Sequence, residues 1–321
     1  MSIIHSRIYE LSGPKQLYFK EEAIELDSIF PEEVVAQTLH SAISPGTELG
    51  AYIGSQPLRP GNFYPRVSGY CNVAKIIAVG SAVEHLRPND LILTLQSHRS
   101  AFKIKQQDVI VKIDKGIDPK LASTAYLFHL GYHSLISAKA KLEDKVAVIG
   151  FGVLGYTTTL MAKNLGSEVV VFTDQREIQD LLSKEGFTTF SKREPSADLE
   201  FEVVINTSNK WDDWLLAMKI VKRSGVIINL GFPGRDEPLL TFNPLDPTYI
   251  YFKHLTIKAL CFLEDLQKKN NLQYILGLIK SGMIDPTRII SAEVDYTELG
   301  KQYENYLKRN SPMFTSILNW K

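Results

Sequence analysis

The sequence predicts an α/β protein of two domains, a small β-barrel-like unit followed by a doubly wound parallel sheet. Three observations carry this. At 321 residues the chain exceeds one typical domain. To about Ile113 its apolar runs are short, β-branched and cut by Gly- and Pro-rich turns, as in a small barrel. From about Pro119 strand-like and helix-like segments alternate, the pattern of parallel strands joined by crossover helices.

Taken in order, "EVVAQTLHSAIS", "NVAKIIAVG", "DLILTLQ" and "DVIVKI" have strand character. "SPGTELG", "GSQPLRPGNFYP" and "LRPND" between them read as turns. "DPKLASTAYLFHLGYHSLISA" has helical periodicity. The alternation then runs "KVAVIG", "LGYTTTLMAKNLG", "EVVVFT", "EIQDLLSKEG", "FEVVINTS", "WDDWLLAMKIVKR", "GVIINLG". Past "LTIKALCFL", residues 272–282 carry a further helix, "IISAEV" a strand and "TELGKQYENYLKRN" a helix, before "MFTSILNWK". This tail has the mixed character of the first domain and is expected to fold back onto it. The expected boundaries are 1–125 completed by 266–321, and 126–265. The sequence shows no internal repeat and no low-complexity segment.

Hydrophobic content of 44% against 22% charged residues fits a globular chain able to bury a sizeable core. A formal net charge of +0 without a basic block argues against a general nucleic-acid or anionic-membrane partner. Cys71 and Cys261 lie far apart and read as buried reduced thiols. The opening residues lack the pattern of a secretory signal, and no run approaches the roughly 20 apolar residues of a membrane span. A soluble, cytoplasmic protein is expected.

The segment "KVAVIGFGVLGYTTTLMAKNLG" sets Gly150-x-Gly152-x-x-Gly155 between a strand and a helix. In that context the first glycine permits a tight turn, the second lets a pyrophosphate reach the backbone, and the third lets helix and strand pack closely. Asp174 follows "EVVVFT" at 174 − 152 = 22 residues past the second glycine. That matches the spacing of about 20 at which a carboxylate takes the adenosine ribose hydroxyls. The reading is a dinucleotide site, with NAD favoured by Asp174. NADP stays the alternative, because Thr173 and Arg176 offer a hydroxyl and a guanidinium to a 2′-phosphate. Val153, Leu154, Thr207 and Gly231 complete the expected cofactor contacts.

The order of parts resembles the medium-chain dehydrogenase/reductase superfamily, the alcohol dehydrogenase and quinone reductase relatives. The resemblance covers nearly the whole chain. It rests on "SAISPGTELG", "YPRVSGYCNVAKIIAVGSAVEHLRPNDLIL", "GYHSLISAKAKLEDKVAVIGFGVLG" and "NPLDPTYIYFKHLTIKAL". It implies a GroES-like barrel, then a Rossmann domain, with the tail returning to the barrel. It also implies an NAD(P)-dependent oxidoreductase, and a homodimer formed by edge-to-edge pairing around "HLTIKALCFL". "ISPGTE" and "GFGVLG" look like a zinc-free branch that includes the bacteriochlorophyllide dehydrogenases. At the family's three catalytic zinc positions this chain carries Pro45, Tyr70 and, within a residue, Tyr126. The four-cysteine structural zinc lobe is missing as well. Catalytic zinc needs about three Cys, His, Asp or Glu ligands, so zinc independence is expected. A set of His98, His129, Glu48 and Cys71 is the less favoured alternative.

Without a Lewis acid, exchange at an alcohol or ketone needs a proton donor or acceptor. Thr47 matches the family's proton-relay position, or else is a turn hydroxyl capping a helix that starts near Glu48. Tyr70 either donates to a developing oxyanion or plugs the vacated metal site. His129, on the helix that borders the cleft in relatives, is either a general acid or base or a buried structural histidine. His133 is expected to face the sheet. Glu48 is expected to orient or balance charge, and Ser44, Tyr52, Tyr126 and Phe232 to line the substrate pocket. The expected reaction moves hydride between nicotinamide and a small or medium organic metabolite, at an alcohol/ketone or an activated C=C or C=N bond. A non-catalytic dinucleotide-binding sensor is the alternative.

Overall fold

The computed structural model describes residues 2–56, 63–192, 199–238, 242–260, 265–308 and 314–320. Its contacts divide the chain into one unit of Met1–Tyr126 with Glu264–Lys321 and another of Leu127–Leu263.

In the first unit, strands order as Ile290–Asp295, Thr315–Asn319, Glu33–Ala42, Cys71–Val79, Leu91–Thr94 and Val111–Lys112, with Ala101–Lys105 also pairing on Glu33–Ala42. The tail strand Thr315–Asn319 enters by antiparallel pairing of Leu318 with Ser41 and Asn319 with His40. Val34, Ala36, Ala74, Ile76, Ile92 and Phe102 bury one face of this sheet. A second sheet joins Leu17–Glu25, Ile3–Leu11 and Arg66–Val67. The hairpin of Ile3–Leu11 with Leu17–Glu25 is not among the sequence-based strands. In "LYFKEEAIE" six consecutive residues are exposed, so no two-residue alternation marks it.

"SPGTELG" forms a helix and not a turn, which corrects the sequence reading. Pro45–Ile53 is helical, with Ser44 at the N-cap and Pro45 in the first position, where a missing N–H costs nothing. Gly54, at φ +75°, ends the helix in the left-handed conformation. The helix Leu299–Lys308 buries Leu299, Gln302, Tyr303 and Tyr306, a spacing that places them on one face. Tyr303, Tyr306, Tyr9, Tyr52 and Trp320 share one aromatic core.

The second unit is a parallel sheet whose described strands order as Thr188–Phe190, Glu168–Phe172, Lys145–Ile149, Phe201–Asn206, Val221–Asn229 and Thr256–Ala259. The order reverses beside Lys145–Ile149, the doubly wound arrangement in which ligands bind outside the strands' C-terminal ends. Val146, Ala147, Val148 and Ile149 are fully buried, as a strand covered on both faces requires. Phe172 and Phe201 meet edge to face in its core at a centroid separation of 5.8 Å. Each contributes about 1.5–3 kcal/mol by leaving water.

Two helix boundaries differ from the sequence reading. "WDDWLLAMKIVKR" is helical only over Trp211–Ile220, and a strand begins at once with Val221, which pairs with Phe201. Partners far off in sequence override the local pattern there. The helix assigned to 272–282 spans Asp265–Lys280. Among the described residues no helix is long and apolar enough to cross a membrane. Cys71 is buried with a free thiol, and Cys261 lies outside the described residues.

Candidate functional site

In the second unit the glycine turn follows the strand Lys145–Ile149. Gly150 has φ +86°, a left-handed conformation that side chains disfavour. A Cβ on Gly155 would stand 2.4 Å from the Gly150 carbonyl oxygen, so the helix Val153–Leu165 packs onto the turn only through a glycine. Gly152 differs. Its φ of −102° suits any residue, and a Cβ there would meet nothing within 4 Å. The protein's own packing does not require glycine at 152. As N-cap, Gly152 precedes the unpaired N–H groups of the first helical turn, which together with the helix dipole favour an anion. The phosphates of a dinucleotide fit this cradle.

The Thr207 hydroxyl donates to the carbonyls of Ile149 at 3.0 Å and Gly150 at 3.2 Å, holding the turn in shape. A Cβ on Gly231 would clash with the Ser208 carbonyl oxygen at 2.3 Å. Asp174 and Arg176 are exposed. Thr173 is buried, and its hydroxyl oxygen accepts from Gln175 N. The Asp174 carboxylate accepts from Ser191 Oγ at 2.8 Å and Lys192 N at 2.9 Å. His129 is buried, its ring parallel to that of His133 at 5.9 Å, and burial lowers the His133 pKa below the ordinary imidazole value. Phe232 is exposed, with the Arg235 guanidinium 3.9 Å from its ring centre.

In the first unit the helix Pro45–Ile53 brings Ser44, Thr47 and Glu48 together with Tyr70, which stands just before the strand Cys71–Val79. The Tyr70 hydroxyl donates to Ser44 Oγ, with the Thr47 side chain close by. Burial, then the neighbouring Cys71, raise the Tyr70 pKa far above that of a free phenol, so it is a neutral donor at every working pH. Tyr126 meets Tyr70 edge to face at 5.5 Å. Two of the residues aligned with metal-ligand positions are therefore in contact.

Behind them lies a buried polar network. Glu48, 3% exposed, accepts from Ser44 N at 2.7 Å through Oε1. Its Oε2 accepts from Tyr303 Oη at 2.6 Å and pairs with His98 Nε2 at 2.9 Å. His98 Nδ1 lies 2.8 Å from Ser41 Oγ, which accepts from Trp320 Nε1. Trp320 Nε1–H only donates, so the Ser41 proton is free to meet Nδ1 and leave Nε2–H for Glu48. Tyr303 Oη also bonds Ser68 Oγ at 2.6 Å. Tyr52 is committed elsewhere: its hydroxyl donates to Glu304 Oε1 and its ring packs on Tyr303.

Tyr303, Ser41, Trp320 and Ser191 are absent from the sequence-based site, and His98 enters only as an alternative ligand. The Glu48–Tyr303 contact spans 255 residues. No local pattern encodes such a meeting. Among the described residues no group of three or more His, Cys, Asp or Glu side chains is placed to hold a metal ion.

A two-unit chain with this parallel sheet and glycine turn has the architecture of a dinucleotide-dependent dehydrogenase. No family model matches the sequence. The aldehyde reductase AdhA of Synechocystis sp. is 28% identical over 200 residues, which are 50% of this chain and 59% of that protein. The 2-desacetyl-2-hydroxyethyl bacteriochlorophyllide A dehydrogenase of Cereibacter sphaeroides is 28% identical over 173 residues, 49% of this chain and 53% of that protein. The chain thus matches little more than half the length of these curated relatives. The solved structure of acetophenone reductase from Geotrichum candidum, in complex with NAD, superposes with a TM-score of 0.81 at 19% identity, over 98% of this chain and 97% of the other. In its sequence matches and in its fold the chain is similar to proteins of the medium-chain dehydrogenase/reductase type.

Proposed function

We propose that the chain is a zinc-independent, NAD-dependent oxidoreductase acting on a small or medium organic metabolite. The single observation that carries this is the Gly152 cradle: a glycine that nothing in the protein requires, at the N-terminus of the helix following the first parallel strand. When bound, the nicotinamide supplies the hydride chemistry. Gly150 and Gly155 hold the turn so that backbone N–H groups meet the pyrophosphate, and Asp174 accepts the ribose hydroxyls. Tyr70, neutral and hydrogen-bonded to Ser44, is the hydrogen-bond donor to a developing oxyanion on the substrate, and Thr47 relays the proton. His129 is an additional general acid or base. Tyr126 of the first unit and Phe232 of the second are substrate-binding residues, while Glu48 fixes Ser44 through the Ser44 backbone N–H.

The residues at the expected metal positions do not suit zinc. Pro45 has no ligand atom, the Tyr70 phenol is held neutral, and burial pushes the Cys71 thiol well up. Both ring nitrogens of His98 and both oxygens of Glu48 already have protein partners. The reading extends to a cytoplasmic homodimer, paired through the terminal strand Thr256–Ala259, whose edge wants covering.

The test is turnover. Purified chain with NADH or NAD is offered aldehydes, ketones, alcohols and activated alkenes while nicotinamide absorbance is followed, before and after chelation. Substrate-dependent absorbance change that survives chelation is the expected result. Activity lost with one zinc per chain removed overturns zinc independence, and cofactor binding without turnover on any class argues for a sensor.

A further inference from the structure

The Asp174 carboxylate is held from the neighbouring strand. Glu168–Phe172 and Thr188–Phe190 run parallel with Phe172 opposite Phe190, and Thr173 N donates to the Phe190 carbonyl at 3.0 Å. The residues just beyond both strands are thereby in register. Oδ1 of Asp174 accepts from Ser191 Oγ at 2.8 Å and from Lys192 N at 2.9 Å. The Lys192 ammonium is drawn elsewhere: Nζ bonds Oδ2 of Asp213 at 2.7 Å, on the helix Trp211–Ile220, and Asp213 is buried.

We propose that Ser191 is a positioning residue that sets dinucleotide choice, holding the Asp174 carboxylate for the ribose diol of NAD and against the 2′-phosphate of NADP. This rests on the dinucleotide reading proposed above. An exposed aspartate turns freely about its side-chain bonds and loses that freedom when it accepts from a ligand. Two donors on one oxygen remove the freedom in advance, so the diol meets a carboxylate already oriented. The same restraint works the other way on NADP. A loose carboxylate swings away from a phosphate, whereas a fixed one cannot, and the like charges stay close. Besides Arg176, Lys192 carries a charge that would offset that repulsion, and the buried carboxylate of Asp213 holds its ammonium away.

The test is binding, with NADH and NADPH titrated by fluorescence into wild type, Ser191→Ala and Ser191→Thr. Ser191→Ala is expected to weaken NADH about fivefold and to leave NADPH unchanged or tighter, so the preference for NADH falls. Ser191→Thr keeps the hydroxyl and is expected to retain the wild-type preference. Equal weakening of both dinucleotides, or an unchanged preference in Ser191→Ala, overturns the assignment while leaving the dinucleotide reading intact. A wild-type chain that binds neither dinucleotide overturns that reading and this assignment with it.

Discussion

Three donors converge on the Glu48 carboxylate, and this sets the chemistry of its surroundings. An ionised carboxylate in a site 3% exposed is tolerable only because Ser44 N, Tyr303 Oη and His98 Nε2 replace its water. His98→Ala removes one donor and leaves the charge behind. The expected cost is about 1–3 kcal/mol, read as a lower denaturant midpoint with unchanged slope. An unchanged midpoint would show that the pair contributes nothing. Glu48 also explains why some of the site was legible in the sequence and some was not. Ser44, Thr47 and Glu48 fall on one short helix, so their order along the chain is also their order in space. His98 and Tyr303 come from a loop and from a helix near the C-terminus, and their arrival depends on how the sheet closes.

The strand–turn–helix built on "AVIGFGVLGYTTT" was legible because it is local. Gly155 answers to the Gly150 carbonyl within the same turn, and three consecutive buried threonines satisfy their own hydroxyls. Thr157 and Thr158 donate to the Leu154 carbonyl, and Thr159 to that of Gly155. The contrast between two of its glycines is testable. Gly155→Ala drives a methyl against the Gly150 carbonyl oxygen. It is expected to cost about 1–3 kcal/mol by overpacking, seen as a lower melting temperature without ligand. A melting temperature equal to that of wild type would mean that the helix sits further from the turn. The boundary at Ile220 shows the opposite case. "MKIVKR" keeps a helical rhythm, yet Val221 starts a strand because Phe201 is there to pair with it. The N-terminal hairpin is not legible in the sequence for a related reason, since its outer strand is exposed along most of its length.

The first unit carries a pH liability in its buried tyrosines. Burial raises the pKa of Tyr9, Tyr70, Tyr303 and Tyr306, and that of Tyr52 is pushed up to about 12. An unfolded tyrosine titrates near 10. The stability that these groups contribute is thus fully present below about pH 10 and is lost as pH rises through the folded values. Tyrosinate absorbance from these five residues is expected to appear together with the loss of near-ultraviolet circular dichroism. Ionisation of all the tyrosines near pH 10 in a chain that stays folded would contradict the packing described. The aromatic packing follows a helical spacing visible in "LGKQYENY", but Tyr303 meets Glu48 and Ser68 from the far end of the chain, while Tyr306 bonds the nearby Ser316. In the second unit the proposed function depends on the cradle at Gly152. The most direct measurement is a fluorescence titration of NADH into wild type and Gly152→Asp, with circular dichroism run on both. A Cβ there meets no protein atom within 4 Å, so the variant is expected to fold as wild type does, while its carboxylate takes the pyrophosphate's place and repels it. Saturable NADH binding by wild type and none by a folded Gly152→Asp is the predicted result. Equal NADH affinity in both chains would contradict the assignment of this turn as the cofactor site.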